Sequence, residues 1–150
     1  LMIFRELEEP AGIATALGNS GLAALELGKI EDSVQFGVDS LRIAQQIGDT
    51  DAVGYSLEGL AFTFCATGRL ELAATLLGAV EGLRKAIGVS LPAESLRRHR
   101  RAIQTLERDL ESDVRIAAWN AGRSLEIEAA IQQALVAANT FSLLPRHSEE

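Results

Sequence analysis

The strongest constraint on the fold of this chain is a short pattern that occurs twice, forty positions apart. The stretch ELGKIEDS begins at Glu26, and the stretch ATGRLELA begins at Ala66. Each places a Gly, a basic residue, an aliphatic residue and a Glu in the same order. Further along, Gly48 and Gly88 continue the correspondence. A fixed period of this length is typical of one structural unit used more than once.

Each unit predicts two α-helices separated by a glycine. Glycine adopts the left-handed conformation that ends a helix without a steric penalty, so it marks the expected helix ends. Apolar residues recur at spacings of three and four, which indicates one buried face per helix. Short connections favour antiparallel neighbours, and such pairs must stack to bury their apolar faces. The predicted helices cover about 11–27, 30–47, 50–67 and 70–87.

The period stops after Gly88. The stretch VSLPAESLRRHRRAIQTLERDLES predicts one longer helix with Pro92 near its start, where the missing N–H costs nothing. Two shorter helices are expected in DVRIAAWNAG and SLEIEAAIQQAL. The domain prediction is therefore a single all-α domain over 1–138. Its parts are the end of a truncated repeat (1–8), two repeats (9–48 and 49–88) and capping helices (89–138), followed by a flexible tail at 139–150.

The second unit has large and small residues at ordered positions, whereas the first unit has Ser and Gly at several of the same places. This pattern resembles the tetratricopeptide (TPR) class in a long-helix variant, with a period about six residues longer than the usual ~34. The resemblance implies a right-handed α-solenoid whose first helices line an inner groove. The residues that carry it are Leu57, Leu60, Ala61, Phe64, Ala73, Leu77 and Val80.

A second resemblance lies in LLGAVEGLRKAIGVSLP and AAWNAGRSLEIEAAIQQAL. Together with the repeats, over about residues 1–138, these stretches look like the C-terminal end of bacterial LuxR-type or cyclase-linked ATPase transcriptional regulators. That resemblance implies a sensory or protein-interaction module in the cytoplasm, with the nucleotide-binding and effector domains upstream. The phosphate-binding pattern GxxxxGK[ST] does not occur in this sequence.

The TPR plan predicts a candidate binding site in the inner groove, an apolar stripe with polar groups at its edges. Such a stripe suits a partner helix or a small ligand. The alternative is that the next helix of the chain itself, or an upstream helix, covers this face. The predicted groove residues are Thr15, Leu22, Leu25, Glu26, Tyr55, Glu58 and Phe62, with Cys65 beside them.

The sequence RRHRR is the strongest charge cluster. Residues 1–83 contain four basic and twelve acidic side chains, whereas residues 84–123 contain nine basic and five acidic ones. Arg97, Arg98, Arg100 and Arg101 are read first as a solvated helix surface and second as a surface for an acidic protein partner. The formal charge of −7 argues against direct nucleic-acid binding.

No constellation of acid, base and nucleophile is evident, so no enzymatic activity, metal or cofactor is expected. His99 lies on an apolar stripe and is read as structural, and the single Cys is read as a buried thiol in a reducing compartment. Trp119 is expected to anchor its short helix to the preceding one. No membrane span of about 18 apolar residues is present. The leading prediction is a non-catalytic protein-interaction module; a small-molecule receptor and a homo-oligomer are the alternatives.

Overall fold

The computed structural model describes the backbone of residues 2–143 and the side chains of residues 9–141. In that part the chain forms seven α-helices and no β-strand, which confirms the all-α prediction. The helices are α1 (Met2–Glu26), α2 (Ile30–Ile47), α3 (Thr50–Ala66), α4 (Leu70–Ile87), α5 (Ala93–Asp109), α6 (Ser112–Ser124) and α7 (Ile127–Leu143).

Glycines define the ends of the first four helices. Gly28, Gly48, Gly68 and Gly88 have φ values of 74°, 69°, 86° and 71°, in the left-handed region that other residues rarely adopt. The N–H of Gly48 and that of Gly88 donate back into the last turns of α2 and α4. For this reason the helix ends predicted at 27, 47, 67 and 87 lie at or next to the observed ends.

Two expected boundaries are wrong. The sequence places a break between a truncated repeat at 1–8 and a helix from 11, but α1 is continuous, with Pro10 inside it. Proline removes one backbone donor, and here the helix continues on both sides of that defect. At the other end, α7 extends to Leu143, so residues 139–143 are helical rather than a tail. The remainder of the expected tail lies outside the described residues.

Small polar residues hold α1, α2 and α3 together. The Ser33 hydroxyl donates to the carbonyl of Gly21 at 2.8 Å and lies 2.9 Å from the Thr63 hydroxyl. Two helical turns further along α2, the Ser40 hydroxyl donates to the carbonyl of Ala14 and lies within hydrogen-bond distance of the Ser56 hydroxyl. These Ser residues are buried, so each must be paired, and the pairing explains why small side chains replace bulk in the first unit.

The contact between α4 and α6 is closer still, because glycines let the two backbones meet. A Cβ on Gly78 would lie 2.2 Å from the carbonyl oxygen of Trp119, and one on Gly122 would lie 1.9 Å from that of Thr75. The α6 helix therefore docks mainly on α4 rather than on the preceding helix α5.

The last helix runs back across the earlier ones. Near its start Glu128 accepts a hydrogen bond from Gln45 at the end of α2, and further along the carbonyl of Ala137 accepts one from Arg69 before α4. Its buried face, which includes Ile131, joins a core built largely from α2, α3 and α4. The α5 helix lies on α3 and adds Leu106 to that core.

Candidate functional site: a pocket between α1, α3 and α5

Three of the predicted groove residues are buried. Leu22 and Phe62 belong to the core, and the carboxylate of Glu58 is turned inward, with the residue only 1% exposed. Glu58 pairs with Arg84 of α4, and the Oε2 and Nη1 atoms lie 2.5 Å apart. A buried carboxylate needs such a partner, because an unpaired charge is strongly disfavoured away from water. Glu58 therefore links α3 to α4 and does not face a ligand.

The predicted residues nearer the start of α1 are separated from the others. The Thr15 side chain is exposed, and its hydroxyl donates to the carbonyl of Ala11 in its own helix. Tyr55 of α3 is half-buried, and its hydroxyl donates to the side-chain oxygen of Asn19. Tyr55 thus links α3 to α1, whereas Thr15 bonds only within its own helix, and neither residue lines the pocket described next.

The remaining groove residues meet the arginine helix. A pocket of about 240 Å³ lies between the C-terminal parts of α1 and α3 and the middle of α5. It therefore brings together two sets that the sequence predicted separately, the inner groove and the arginine cluster. Its lining is Leu25, Glu26, Phe62, Cys65, Ala66, Arg98, Arg101, Ala102 and Thr105.

The α5 helix closes one side of this pocket through a contact with α1. The Nε atom of Arg98 lies 3.6 Å from a carboxylate oxygen of Glu26. That distance is an ion pair but is too long for a hydrogen bond, and Arg98 Nε has no hydrogen-bond partner among the described residues. Arg101 is exposed and forms no ion pair with them.

The other two arginines of the cluster face different surroundings. Arg97 and Arg100 are exposed and border a second, shallower cleft with Leu96 and Gln104. Arg97 also lies beside Glu94 in a cleft that adjoins the main pocket. Arg101 lines this second cleft as well as the main pocket, so it lies between Arg98 on the pocket side and the exposed Arg97 and Arg100.

Cys65 forms part of the pocket wall. Its Sγ lies 3.9 Å from the carbonyl oxygen of Ala102, and the residue is 5% exposed. Burial raises the pKa of the Cys65 thiol above its usual value, and the carboxylate of Asp109 adds to this effect. The thiol is therefore protonated at neutral pH and behaves as an apolar wall group rather than a nucleophile.

A polar cluster supports α5 on the side facing α6. The rings of His99 and Trp119 pack edge to face with centroids 6.3 Å apart, and the Trp119 indole N–H donates to Glu81 of α4 at 2.7 Å. Trp119 thus contacts both α5 and α4, whereas the sequence placed it against the preceding helix alone. Burial lowers the pKa of His99, outweighing Glu58, whose charge raises it.

Sequence reasoning missed the α5 residues between the arginines and the core. Ala102 and Thr105 follow Arg98 and Arg101 at a spacing of four, so all four share one face of the helix. That spacing is the signal that would have assigned them to the site. The same face joins two guanidinium groups to a small apolar surface.

Among the described residues, no group of three or more His, Cys, Asp or Glu is placed to hold a metal ion. None of the helices seen in residues 2–143 combines the length and apolarity needed to cross a membrane. Searches against protein-family models, curated proteins and solved structures found no match for this chain.

Proposed function

We propose that this chain is a non-catalytic binding module built as a TPR-like, right-handed stack of helix pairs. Several features support the proposal: α2 and α4 have equal length and begin forty positions apart, and left-handed glycines end the helices at the same interval. Sequential packing of α1 on α2, α2 on α3 and α3 on α4 fits a stack of antiparallel pairs. In such a stack α1, α3 and α5 are the helices that face inward.

The direction of α5 also supports this plan. Tyr55, early in α3, is influenced by the charges of Glu94 and Arg98, early in α5. Cys65, late in α3, lies beside Ala102 and near Asp109, late in α5. The two helices therefore run parallel, as the first helices of successive repeats do. On this reading α5 begins a third, altered unit and forms the far wall of the groove.

On this proposal the module is part of a larger cytoplasmic regulator of the bacterial class described above. The support for this step is the resemblance of residues 76–92 and 117–135 to the C-terminal end of LuxR-type and cyclase-linked ATPase regulators. The glycines that the structure uses at the α4–α6 contact, Gly78 and Gly122, both lie in those stretches. On this proposal upstream domains of the same polypeptide are one possible partner, and a separate protein is the other.

The observation that carries a protein-interaction role is the exposed basic face of α5. Arg97 and Arg100 are exposed and make no ion pair with other described residues, on a chain whose formal charge is −7. Unpaired guanidinium groups suit bidentate binding of carboxylates on a partner surface. An acidic protein segment is therefore the partner chemistry that this face fits.

Site-specific photo-crosslinking in the native cell tests the interaction role. A photoreactive residue replaces Arg97 in one strain and Asp32, exposed on α2, in another. We expect one discrete crosslinked species from position 97, identified by mass spectrometry as an upstream domain, another protein or a second copy of the chain. Position 32 should give none. Equal crosslinking from the two positions would contradict a partner surface on α5.

Charge reversal tests whether the guanidinium groups themselves are needed for the contact, with the photoreactive residue moved to a neighbouring position. Changing Arg97 and Arg100 together to Glu should abolish the crosslink from a neighbouring reporter at Gln104. Changing Lys85, an exposed residue at the end of α4, to Glu is the matched control and should leave it intact.

A small-molecule receptor is the second candidate, and the pocket between α1, α3 and α5 favours it. A ligand that binds there would contact α1, α3 and α5 at once, so its binding would change how these three helices are spaced. A thermal-shift screen tests this function, because a ligand at 100 times its dissociation constant adds about 2.7 kcal/mol of stability.

A further inference from the structure

The floor of the pocket between α1, α3 and α5 is apolar. Leu25, Phe62, Cys65, Ala66 and Ala102 offer no charged group, and the Cys65 thiol is held neutral by burial. The volume of about 240 Å³ corresponds to about eight waters at ~30 Å³ each. The pocket therefore suits a compact apolar body of roughly ten non-hydrogen atoms.

The rim carries an excess of positive charge. Two guanidinium groups, Arg98 and Arg101, face one carboxylate, Glu26, and the adjoining cleft adds one further residue of each sign, Arg97 and Glu94, which leaves the excess unchanged. Because this excess is not offset within the pocket, an anionic group is favoured at the rim and a cationic one is disfavoured.

Arg98 holds its present partner, Glu26, only loosely. Its ion pair with Glu26 is 3.6 Å long, and its Nε is closed to solvent without a hydrogen-bond partner among the described residues. A buried donor without an acceptor is costly, so a turn of the Arg98 side chain toward a ligand oxygen would remove a penalty as well as add an attraction. A planar carboxylate can accept two parallel hydrogen bonds from a guanidinium group, a geometry that a single neutral oxygen lacks.

From these features we propose that the pocket binds a small organic carboxylate, with its apolar body between Phe62 and Ala102 and its carboxylate on Arg98 and Arg101. The proposal rests on the receptor function above and names the ligand class for it. It differs from the protein-interaction role, which uses Arg97 and Arg100 on the solvent side of the same helix.

Two probes of nearly equal shape test the proposal. Phenylacetate and phenylacetamide differ only in the charged group, so their affinities separate the contribution of the anion from that of the aromatic ring. Amide chemical shifts of the ¹⁵N-labelled protein are followed during titration with each. We expect saturable shifts clustered at Phe62, Cys65 and Ala102, with phenylacetate binding at least about tenfold more tightly than phenylacetamide.

Alkylation of the thiol supplies an independent readout, because Cys65 is the only cysteine and lies in the pocket wall. Saturating phenylacetate should slow the reaction of Cys65 with iodoacetamide several-fold, whereas the same concentration of acetate, which lacks the apolar body, should not. Protection by acetate alone would contradict a site that needs both parts of the ligand.

Variants locate the anion. Changing Arg98 and Arg101 together to Gln should remove the preference for the acid over the amide, and Arg42→Gln, exposed on α2, should keep it. If the double variant loses its helical circular dichroism, the comparison of the two probes on the native protein still decides the matter.

The outcomes separate this inference from the function on which it rests. Equal binding of acid and amide in the pocket would overturn the carboxylate assignment and leave the receptor function standing. No binding of either probe, with no thermal shift from any compound class, would overturn both. Shifts centred away from the pocket would overturn the assignment of the site itself.

Discussion

Glu58 on α3 and Arg84 on α4 form an ion pair in the interior, with their side chains only 2% and 9% exposed. The pair lies between the helix that carries Phe62 and the helix on which α6 docks. It links α4 to α3, the helix that contributes Phe62 and Cys65 to the pocket.

Breaking this pair should destabilise the protein strongly. Glu58→Gln leaves a buried guanidinium without its counter-charge, and we expect a loss of about 3–5 kcal/mol in the free energy of unfolding by urea. The double change of Glu58→Leu with Arg84→Met should cost less than the single change, because no charge remains buried. Arg123→Met, which removes the exposed pair with Glu81, is the control and should cost under about 1 kcal/mol. A similar loss for the exposed and the buried pair would contradict this account.

The close approach of α4 and α6 predicts opposite effects for two identical substitutions. Gly122→Ala places a methyl group 1.9 Å from the Thr75 carbonyl oxygen, so α6 must move away and stability should fall by about 1–3 kcal/mol or more. Gly12→Ala meets no atom within 4 Å in the middle of α1, and it should stabilise by about 0.5–1 kcal/mol. Thermal unfolding of the two variants provides the measurement, and a shift of the same sign in both would refute the docking geometry.

Protonation of His99 should weaken the folded state in mild acid. Burial lowers its folded pKa below the unfolded value of 6.5, aided by Arg84 and opposed by Glu58 and Glu81. In this range the unfolded chain binds more protons, so the stabilising effect is complete above 6.5 and is lost as the pH falls toward the folded pKa.

The measurement is the urea unfolding free energy between about pH 7.5 and pH 5.5, above the range in which ordinary carboxylates titrate. His99→Gln should flatten the dependence. An unchanged slope in the His99 variant would assign the dependence to another group.

Cys65 should react slowly in the folded protein and quickly in the unfolded one. Its raised pKa leaves little thiolate, and its 5% exposure limits access. At about pH 8 we expect iodoacetamide to modify it at least about tenfold faster in denaturing urea than in buffer. Mass spectrometry follows the reaction at this single thiol, and equal rates in the two conditions would contradict a buried position.

The first four helices were largely predictable because local chemistry decides where they end. A left-handed glycine acts on its own turn, and the spacing from Gly48 to Gly88 could be read directly. Pro10 was harder, since whether a helix continues through a proline depends on the packing of both flanks, which the sequence does not state.

The candidate site was predictable only in parts. Leu25, Glu26 and Phe62 are predicted from the repeat plan, and Arg98 and Arg101 from the charge cluster of a single helix; neither pattern states that the two sets meet. That they meet depends on how far α5 leans over α3 toward α1, which is set by contacts between distant residues. The burial of Glu58 was missed for the same reason, because its partner is on the next helix.

Two side chains that are easily followed in solution, Trp119 and Cys65, lie on either side of α5, and the chain has one Trp and one Cys. The indole of Trp119 touches one side of this helix through His99, and the sulfur of Cys65 touches the other through Ala102. Any departure of α5 from its place would change the emission of the first and unmask the second. Trp119 fluorescence and Cys65 reactivity together would therefore report a movement of α5 away from the pocket.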